Sequence, residues 1–409
     1  MKILHINDTY YELGGAEKYV LEISSAMEEM GHEVIIVSKS EGEHLTIQGR
    51  KEYFLRPSYG VRSGLRLWKV YRDILEKEEP DIIHLHNTQY FLSPLIIKKL
   101  SASKPTVKFV HDARFFCPND GKKIVSVTKE ICNYPVGTYC LNRKGCHLFP
   151  LNGKGRDPYF QFYKYLLVAY ELRISKKLDR IIVPSQYIYD ELVRNGFSNN
   201  RISKIPYYTE KAYGIGKKEE GEKGLILCIG RFDGVKGIPE LIHALSYIKG
   251  RRWRAELVGE GPFRQKAEEE VERLGLKSRI KFLGQLSSKA IDGCFQRCSI
   301  IAIPSMIPES FGRVGIEAAA FEKPAVAFDS GGIREWLVEG ETGFLVRRGD
   351  TQGLANRISQ LLEDEELGSR MGRKGKERVD ECFRKGQLLR RLLTVYEEVI
   401  RNRLNTSTR

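Results

Sequence analysis

The sequence predicts an α/β protein built from two doubly wound domains, and three observations carry that prediction. First, 409 residues are too many for one hydrophobic core and suit two domains. Second, short apolar strands alternate with amphipathic helical stretches nearly throughout, which is the rhythm of βαβ units on a parallel sheet. Third, the rhythm breaks between Tyr207 and Lys223, where Gly, Lys and Glu replace apolar residues. Residues 1–207 and 224–385 are therefore expected to be the two domains, with 208–223 as linker and 386–409 as a helical segment that packs back on the first domain.

In the first half, Ile3 to Ile6 reads as a strand and Glu17 to Met30 as a helix, followed by a strand at Glu33 to Val37. A helix from Ser63 to Glu79, strands at Ile82 to Leu85 and Thr106 to Val110, a long helix from Pro158 to Lys177 and a strand at Arg180 to Val183 continue the series. In the second half the strands are Leu225 to Ile229, Ala255 to Val258, Ile280 to Leu283, Ile300 to Ile303 and Ala325 to Phe328. Helices are expected at Pro239 to Ile248, Phe263 to Leu274, Gly312 to Phe321 and Glu377 to Leu404. In open α/β sheets ligands bind at the carboxyl ends of the strands, so those ends are expected to line a cleft between the two domains.

Composition narrows the function classes. Hydrophobic residues make up 41% and charged residues 29%, an ordinary globular balance. The start, Met1 to Asp8, turns polar too soon for a signal peptide, and no apolar run approaches the roughly 18 residues of a spanning helix, so a cytoplasmic protein is expected. The net charge of +14 is concentrated: residues 51–212 carry 28 basic and 15 acidic side chains. Such a field favours an anionic partner or is simply a soluble basic surface. No aromatic-basic RNA motif or helix-turn-helix signature accompanies it, so no nucleic-acid partner is expected.

Candidate ligand-binding residues fall on the loops after strands. Gly14-Gly15-Ala16-Glu17 lies between the first strand and first helix, where glycines admit a close backbone approach and a helix start favours phosphate. A tight turn without ligand fits the same residues. Gly259-Glu260-Gly261 opens like a dinucleotide fingerprint, but Arg264 stands where its third glycine belongs. In Gly230 to Gly237, Arg231 offers a forked donor and Lys236 a point charge at a strand's carboxyl end, suited to a diphosphate. His111 ends the strand Thr106 to Val110 on the expected ligand side. Glu309 and Glu317 lie eight positions apart, with Ser310-Phe311-Gly312 between them where a strand gives way to a helix. The pair reads as a ligand grip or as two solvated acids near a helix start.

Taken together, Gly-Arg-x4-Lys-Gly, Pro-Glu-x-Phe-Gly within E-x7-E, Gly-Gly-Ala-Glu and the strand-ending His resemble the retaining glycosyltransferases of family 4, with the GT-B fold. Gly331-Gly332-Ile333-Arg334-Glu335 and Glu341 to Val346 extend the resemblance. It implies two Rossmann-like domains facing a central cleft. It also implies that Glu317 binds the ribose of a nucleotide sugar and Glu309 the hydroxyls of the sugar itself. Arg231 and Lys236 would hold the diphosphate, assisted by the backbone of Ser310, Phe311 and Gly312 and by the Gly14-Gly15 loop, and His111 would sit beside the reacting sugar. Catalysis would need no cofactor, and the chain lacks any Asp-x-Asp pair. The implied activity is transfer of a hexose-type sugar from a UDP- or GDP-sugar to a glycan or lipid-linked acceptor. A sugar-nucleotide epimerase or a glycan phosphorylase would share the architecture.

Two segments fall outside the resemblance's motifs. An insert at about residues 115–150 carries Cys117, Cys132, Cys140 and Cys146, which suit a structural zinc, free or redox-active thiols, or disulfides; it is expected to cover the acceptor side. Arg62 to Arg72 mixes basic residues with Leu65, Leu67, Trp68 and Val70 near helical spacing. It reads as a face for an anionic membrane surface or as a core-packing helix with a basic outer side.

Overall fold

Apolar runs become strands wherever both faces can be covered by helices. The structure, a computed structural model, describes the chain except residues 11–13, 40–46, 48, 57–60, 90–91, 126–127, 129, 142–157, 212–221, 251 and 408–409. The side chains at 61–65, 158, 160–161 and 406–407 are likewise outside the described set. The chain forms two units: Met1–Pro206 with Gly386–Arg409, and Tyr207–Lys385.

In the first unit the strands are β1 (Lys2–Ile6), β2 (Glu33–Lys39), β3 (Lys51–Leu55), β4 (Ile82–Leu85), β5 (Thr106–Phe109), β6 (Arg180–Val183) and β7 (Ile202–Lys204). They are all parallel, in the order β3-β2-β1-β4-β5-β6-β7. The helices are α1 (Gly15–Glu29), α2 (Val61–Glu78), α3 (Pro94–Ser103), α4 (Pro158–Ser175) and α5 (Gln186–Arg194). Successive side chains of a strand point to opposite faces. Leu4, Ile6, Ile35, Val37, Ile83 and Leu85 accordingly share one buried layer with Tyr71 of α2 and Ile96 of α3.

The second unit repeats the plan. Its strands are β8 (Leu225–Ile229), β9 (Arg254–Val258), β10 (Ile280–Gly284), β11 (Ile300–Ile303), β12 (Ala325–Phe328) and β13 (Gly343–Val346), parallel in the order β10-β9-β8-β11-β12-β13. Helices α6 (Ile238–Ser246), α7 (Arg264–Arg273), α8 (Ser288–Arg297), α9 (Arg313–Ala320), α10 (Thr351–Glu363) and α11 (Glu365–Cys382) connect or flank them. The last helix, α12 (Lys385–Ser407), lies with the first unit from Gly386 onward, where the Tyr396 hydroxyl is 2.6 Å from His84 Nδ1.

Each sheet reverses its winding once, between β1 and β4 and between β8 and β11. The loops that leave these strands are therefore where an open α/β sheet binds its ligand. Asn7 and Asp8 follow β1, His86 and Asn87 follow β4, Gly230 follows β8 and Pro304 follows β11. The Asp8 N–H donates to Asn87 O at 2.7 Å and the Asn87 N–H to Asn7 Oδ1 at 3.0 Å, which ties the first pair of loops together.

Candidate functional site

In the second unit, the loop Gly230 to Gly237 is pressed against the end of β11 by its last residue. Gly237 caps α6 in the left-handed region with φ 72°, and a Cβ there would lie 1.7 Å from Pro304 O. Only glycine fits, and it sets Lys236 beside the segment that follows β11. Lys236 Nζ donates to Glu309 Oε1 at 2.6 Å, and the Ser305 hydroxyl donates to the same oxygen. The Glu309 backbone is held independently: its N–H reaches Ser330 O, and its carbonyl accepts from Gly332 N at 2.7 Å. A Cβ on Gly331 would lie 2.3 Å from Glu309 O.

Arg231 pairs differently. Its Nε donates to Asp233 Oδ2 at 3.0 Å, and the side chain is 76% exposed. The two basic residues that the sequence grouped on one loop thus have different carboxylate partners.

Gly312 caps α9 in the left-handed region at φ 83°, with no side-chain cap and no acid in the first helical turn. An uncapped helix start presents backbone donors and a partial positive charge, the usual conditions for anion binding. Phe311 is not a ligand-facing ring: it is fully buried, edge-on to Tyr207 and Phe383, and its carbonyl accepts from Trp336 Nε1 at 2.8 Å. Its part in the site is to anchor the turn. Glu317 is buried one helical turn beyond Arg313, with Oε1 3.9 Å from the guanidinium, and that guanidinium lies 5.5 Å from the Tyr207 ring centre. Ser305 and Trp336 were missed by sequence reasoning, since neither lies in a quoted motif; Gly237 was read only as the last residue of Gly-Arg-x4-Lys-Gly, without its close approach to Pro304.

In the first unit, Gly14 caps α1 in extended conformation without a side-chain bond. The Glu17 carboxylate folds back to this point, since a Cβ on Gly14 would lie 2.1 Å from Glu17 Oε2. The Thr9 hydroxyl donates to Glu17 Oε1 at 3.1 Å. An anion at the Gly14-Gly15 loop would meet that carboxylate.

His111 is buried just beyond β5 and stacks on Phe109 with ring centres 4.5 Å apart. It belongs to a cluster that the sequence reading left inside apolar strands. His5 and His84 are paired across β1 and β4, so their side chains share a face of the sheet, and His86 follows two residues on. His5 Nδ1 lies 2.9 Å from His86 Nε2, and His86 Nδ1 lies 3.0 Å from His111 Nε2. Burial holds the His5 imidazole down at about 3, with the Arg50 charge adding to it. Burial, then the neighbouring imidazoles and Lys108, keeps His84 and His86 well below the usual histidine range, so these rings are neutral at pH 7. The alternation of His84 and His86 within Ile82 to His86 was the available signal. Beside the cluster, Asp112 is held below its ordinary range: burial opposes this, but the Arg114 charge and hydrogen bonds outweigh it.

In the insert, Cys117, Cys132 and Cys140 are buried, while Cys146 lies outside the described residues. Burial pushes the Cys117 thiol up to about 11, away from the nucleophilic thiolate form. Among the described residues these thiols do not gather into a metal-ligand group; His5, His84 and His86 do, with donor atoms within 4.8 Å of one another.

The described part of α2 spends its apolar face inward. Leu67 and Tyr71 are in the core, and Trp68 packs against it with Lys99 Nζ 5.1 Å from its ring centre. Among the described residues no helix is long and apolar enough to cross a membrane.

Comparison with known proteins identifies the class. The family model "Glycosyltransferase Family 4" matches residues 13–207, and "Glycosyl transferases group 1" matches residues 215–378. An uncharacterized glycosyltransferase of Methanocaldococcus jannaschii is 26% identical over 407 residues, covering 98% of this chain and 99% of that protein. Sucrose-phosphate synthase of Thermosynechococcus elongatus has a similar fold, with a TM-score of 0.73 at 22% identity, covering 98% of this chain and 99% of that one. HepE of Anabaena, solved in complex with UDP and glucose, gives a TM-score of 0.71 at 20% identity over 97% of this chain and 99% of its own. With its two Rossmann-like α/β sheets and family matches across both halves, the chain belongs to the family 4, group 1 glycosyltransferases of GT-B fold.

Proposed function

We propose that the protein is a retaining, metal-independent hexosyltransferase that moves a sugar from a UDP- or GDP-sugar to a glycan or lipid-linked acceptor. The observation that carries this reading is the Lys236–Glu309 pair beside the uncapped start of α9, with the buried Glu317 in the same helix. In this reading Glu317 accepts from the ribose hydroxyls and Glu309 from the hydroxyls of the sugar. Lys236 and Arg231 offset the negative charge that grows on the departing diphosphate, the kind of fixed donor that contributes most to such reactions. His111 sits beside the reacting sugar. The acceptor hydroxyl attacks from the face the diphosphate leaves, and the departing phosphate oxygen takes its proton, so the enzyme supplies no nucleophile. HepE's complex with UDP and glucose supports a nucleotide-sugar donor in this fold.

The test is release of nucleoside diphosphate from a panel of UDP-, GDP- and ADP-sugars, with and without acceptor. Glu317→Ala is expected to raise KM for the donor about tenfold, and Glu309→Ala to lower kcat about a hundredfold. Wild-type transfer by both variants would refute the site. Acceptor-independent turnover would point to the epimerase reading.

A specific observation also bears on a membrane-bound acceptor, and it lies on a different helix from the one the sequence suggested. Tyr159, Phe162, Tyr163, Leu166 and Tyr170 are exposed along one face of α4, Tyr159 to 85%, with exposed Arg173, Lys176 and Lys177 at its far end. Aromatic residues flanked by cations suit an anionic lipid surface. Vesicles containing an anionic phospholipid should retain the protein at low salt and release it at high salt, and Phe162→Glu should weaken retention about tenfold, the worth of one buried aromatic ring. Equal retention on neutral vesicles, or none on either, would reject this acceptor surface.

A further inference from the structure

The three buried histidines His5, His86 and His111 form one hydrogen-bonded line from near the carboxyl end of β1 to just beyond β5. A neutral imidazole carries one N–H and one lone pair, so the line has two proton arrangements. In one, His5 Nδ1–H donates to His86 Nε2 and His86 Nδ1–H donates to His111 Nε2, leaving the His111 proton on Nδ1. In the other, every bond reverses, and the proton on His5 moves to Nε2.

The surroundings choose between them. His5 Nε2 is fully buried and has no hydrogen-bond partner among the described residues. The reversed arrangement strands an N–H donor there, and a buried orphan donor costs about 1–3 kcal/mol. At that end of the line the first arrangement leaves an unused lone pair, a smaller penalty. A cation shared by His5, His84 and His86 would have to compete with the bonds His86 already makes at 2.9 and 3.0 Å, so the distances favour the hydrogen-bonded line over a metal.

We infer that His5 and His86 are positioning residues that lock His111 as the Nδ1–H tautomer, making it a hydrogen-bond donor to the reacting sugar and not a base. The inference rests on the proposed place of His111 beside that sugar. It explains why three imidazoles occupy a layer where aliphatic side chains would pack without polar cost. It also explains why a histidine can stand at this position in a reaction whose proton goes to the departing phosphate. With its Nε2 lone pair held by His86, His111 has nothing with which to accept a proton.

Imidazole nitrogen NMR on protein labelled with 15N-histidine tests the lock directly. His111 is expected to show a protonated Nδ1 and a bare Nε2, and His86→Leu to lose that signature. The same variant is expected to lower kcat about tenfold, the worth of one hydrogen bond held in place, with KM for the donor within about twofold. His86→Gln can accept from His5 and donate to His111 through one amide, and is expected to restore both tautomer and turnover. A protonated His111 Nε2 in the wild type, an unchanged tautomer in His86→Leu, or a changed tautomer with wild-type kcat would each overturn the inference. His111→Ala at full activity with the expected wild-type tautomer would instead refute the placing of His111 beside the sugar.

Discussion

Replacing Lys236 with alanine is expected to lower kcat by about 10²- to 10³-fold, the loss seen when one fixed donor to a developing oxyanion is removed. Lys236 is fixed in place from two sides. Gly237, which cannot carry a side chain against Pro304 O, fixes the backbone, and Glu309 Oε1 at 2.6 Å fixes the ammonium. The variant also leaves the Glu309 carboxylate with the Ser305 hydroxyl as its remaining side-chain donor among the described residues, so the carboxylate can turn away from the sugar it is proposed to orient. Arg231, mostly exposed and already paired with Asp233, is expected to cost only about tenfold on the same substitution, because solvent screens its charge. Lys236→Arg is not expected to rescue, since a planar fork cannot replace a compact ammonium at this distance. Single-turnover rates with saturating donor are the measurement. A Lys236→Ala rate within about threefold of wild type would remove the lysine from the leaving-group role.

The second large effect is on stability. Glu191→Ala is expected to destabilise the protein by about 3–5 kcal/mol. Glu191 of α5 and Lys123 of the cysteine-bearing insert form an ion pair at 2.8 Å, with side chains only 1% and 2% exposed. Lys123 Nζ also donates to Tyr134 O at 2.7 Å, while its own carbonyl accepts from Cys132 N. Removing the carboxylate strands an ammonium beside the Phe116 ring, where water cannot replace the lost partner. Changing both partners, as Lys123→Met with Glu191→Leu, is expected to recover most of the loss, because the desolvation cost disappears with the charges. Thermal unfolding followed by circular dichroism measures both, and a loss in Glu191→Ala below about 1 kcal/mol would show that the pair is solvated.

How much of this was legible in the sequence depended on whether each feature is local. Strands that are buried on both faces announced themselves: Ile82 to Leu85 was read with the bounds the structure shows, and Thr106 to Val110 within one residue. The edge strands of the first sheet did not. β3, with Lys51 and Glu52, and β7, with only three residues, end the seven-stranded order, and an edge needs neither length nor continuous apolarity. The choice between the two readings of Arg62 to Arg72, a membrane face or a core-packing helix, was closed to the sequence for a related reason. Leu67, Trp68 and Tyr71 have the composition of a surface anchor, and only their packing shows that they are spent in the core.

The sequence by itself determined the α/β alternation, the two sheets, and the positions of Gly14, His111, Lys236, Glu309 and Glu317 near strand ends, because hydrophobic period and glycine placement are properties of neighbouring residues. Tertiary structure alone decided the partnerships. Lys236 and Glu309 are 73 residues apart, His5 and His86 are 81 apart, and Tyr396 reaches His84 across 312. Such pairs depend on the register of strands distant in the chain, where a shift of one residue would turn His5 to the opposite face of its sheet.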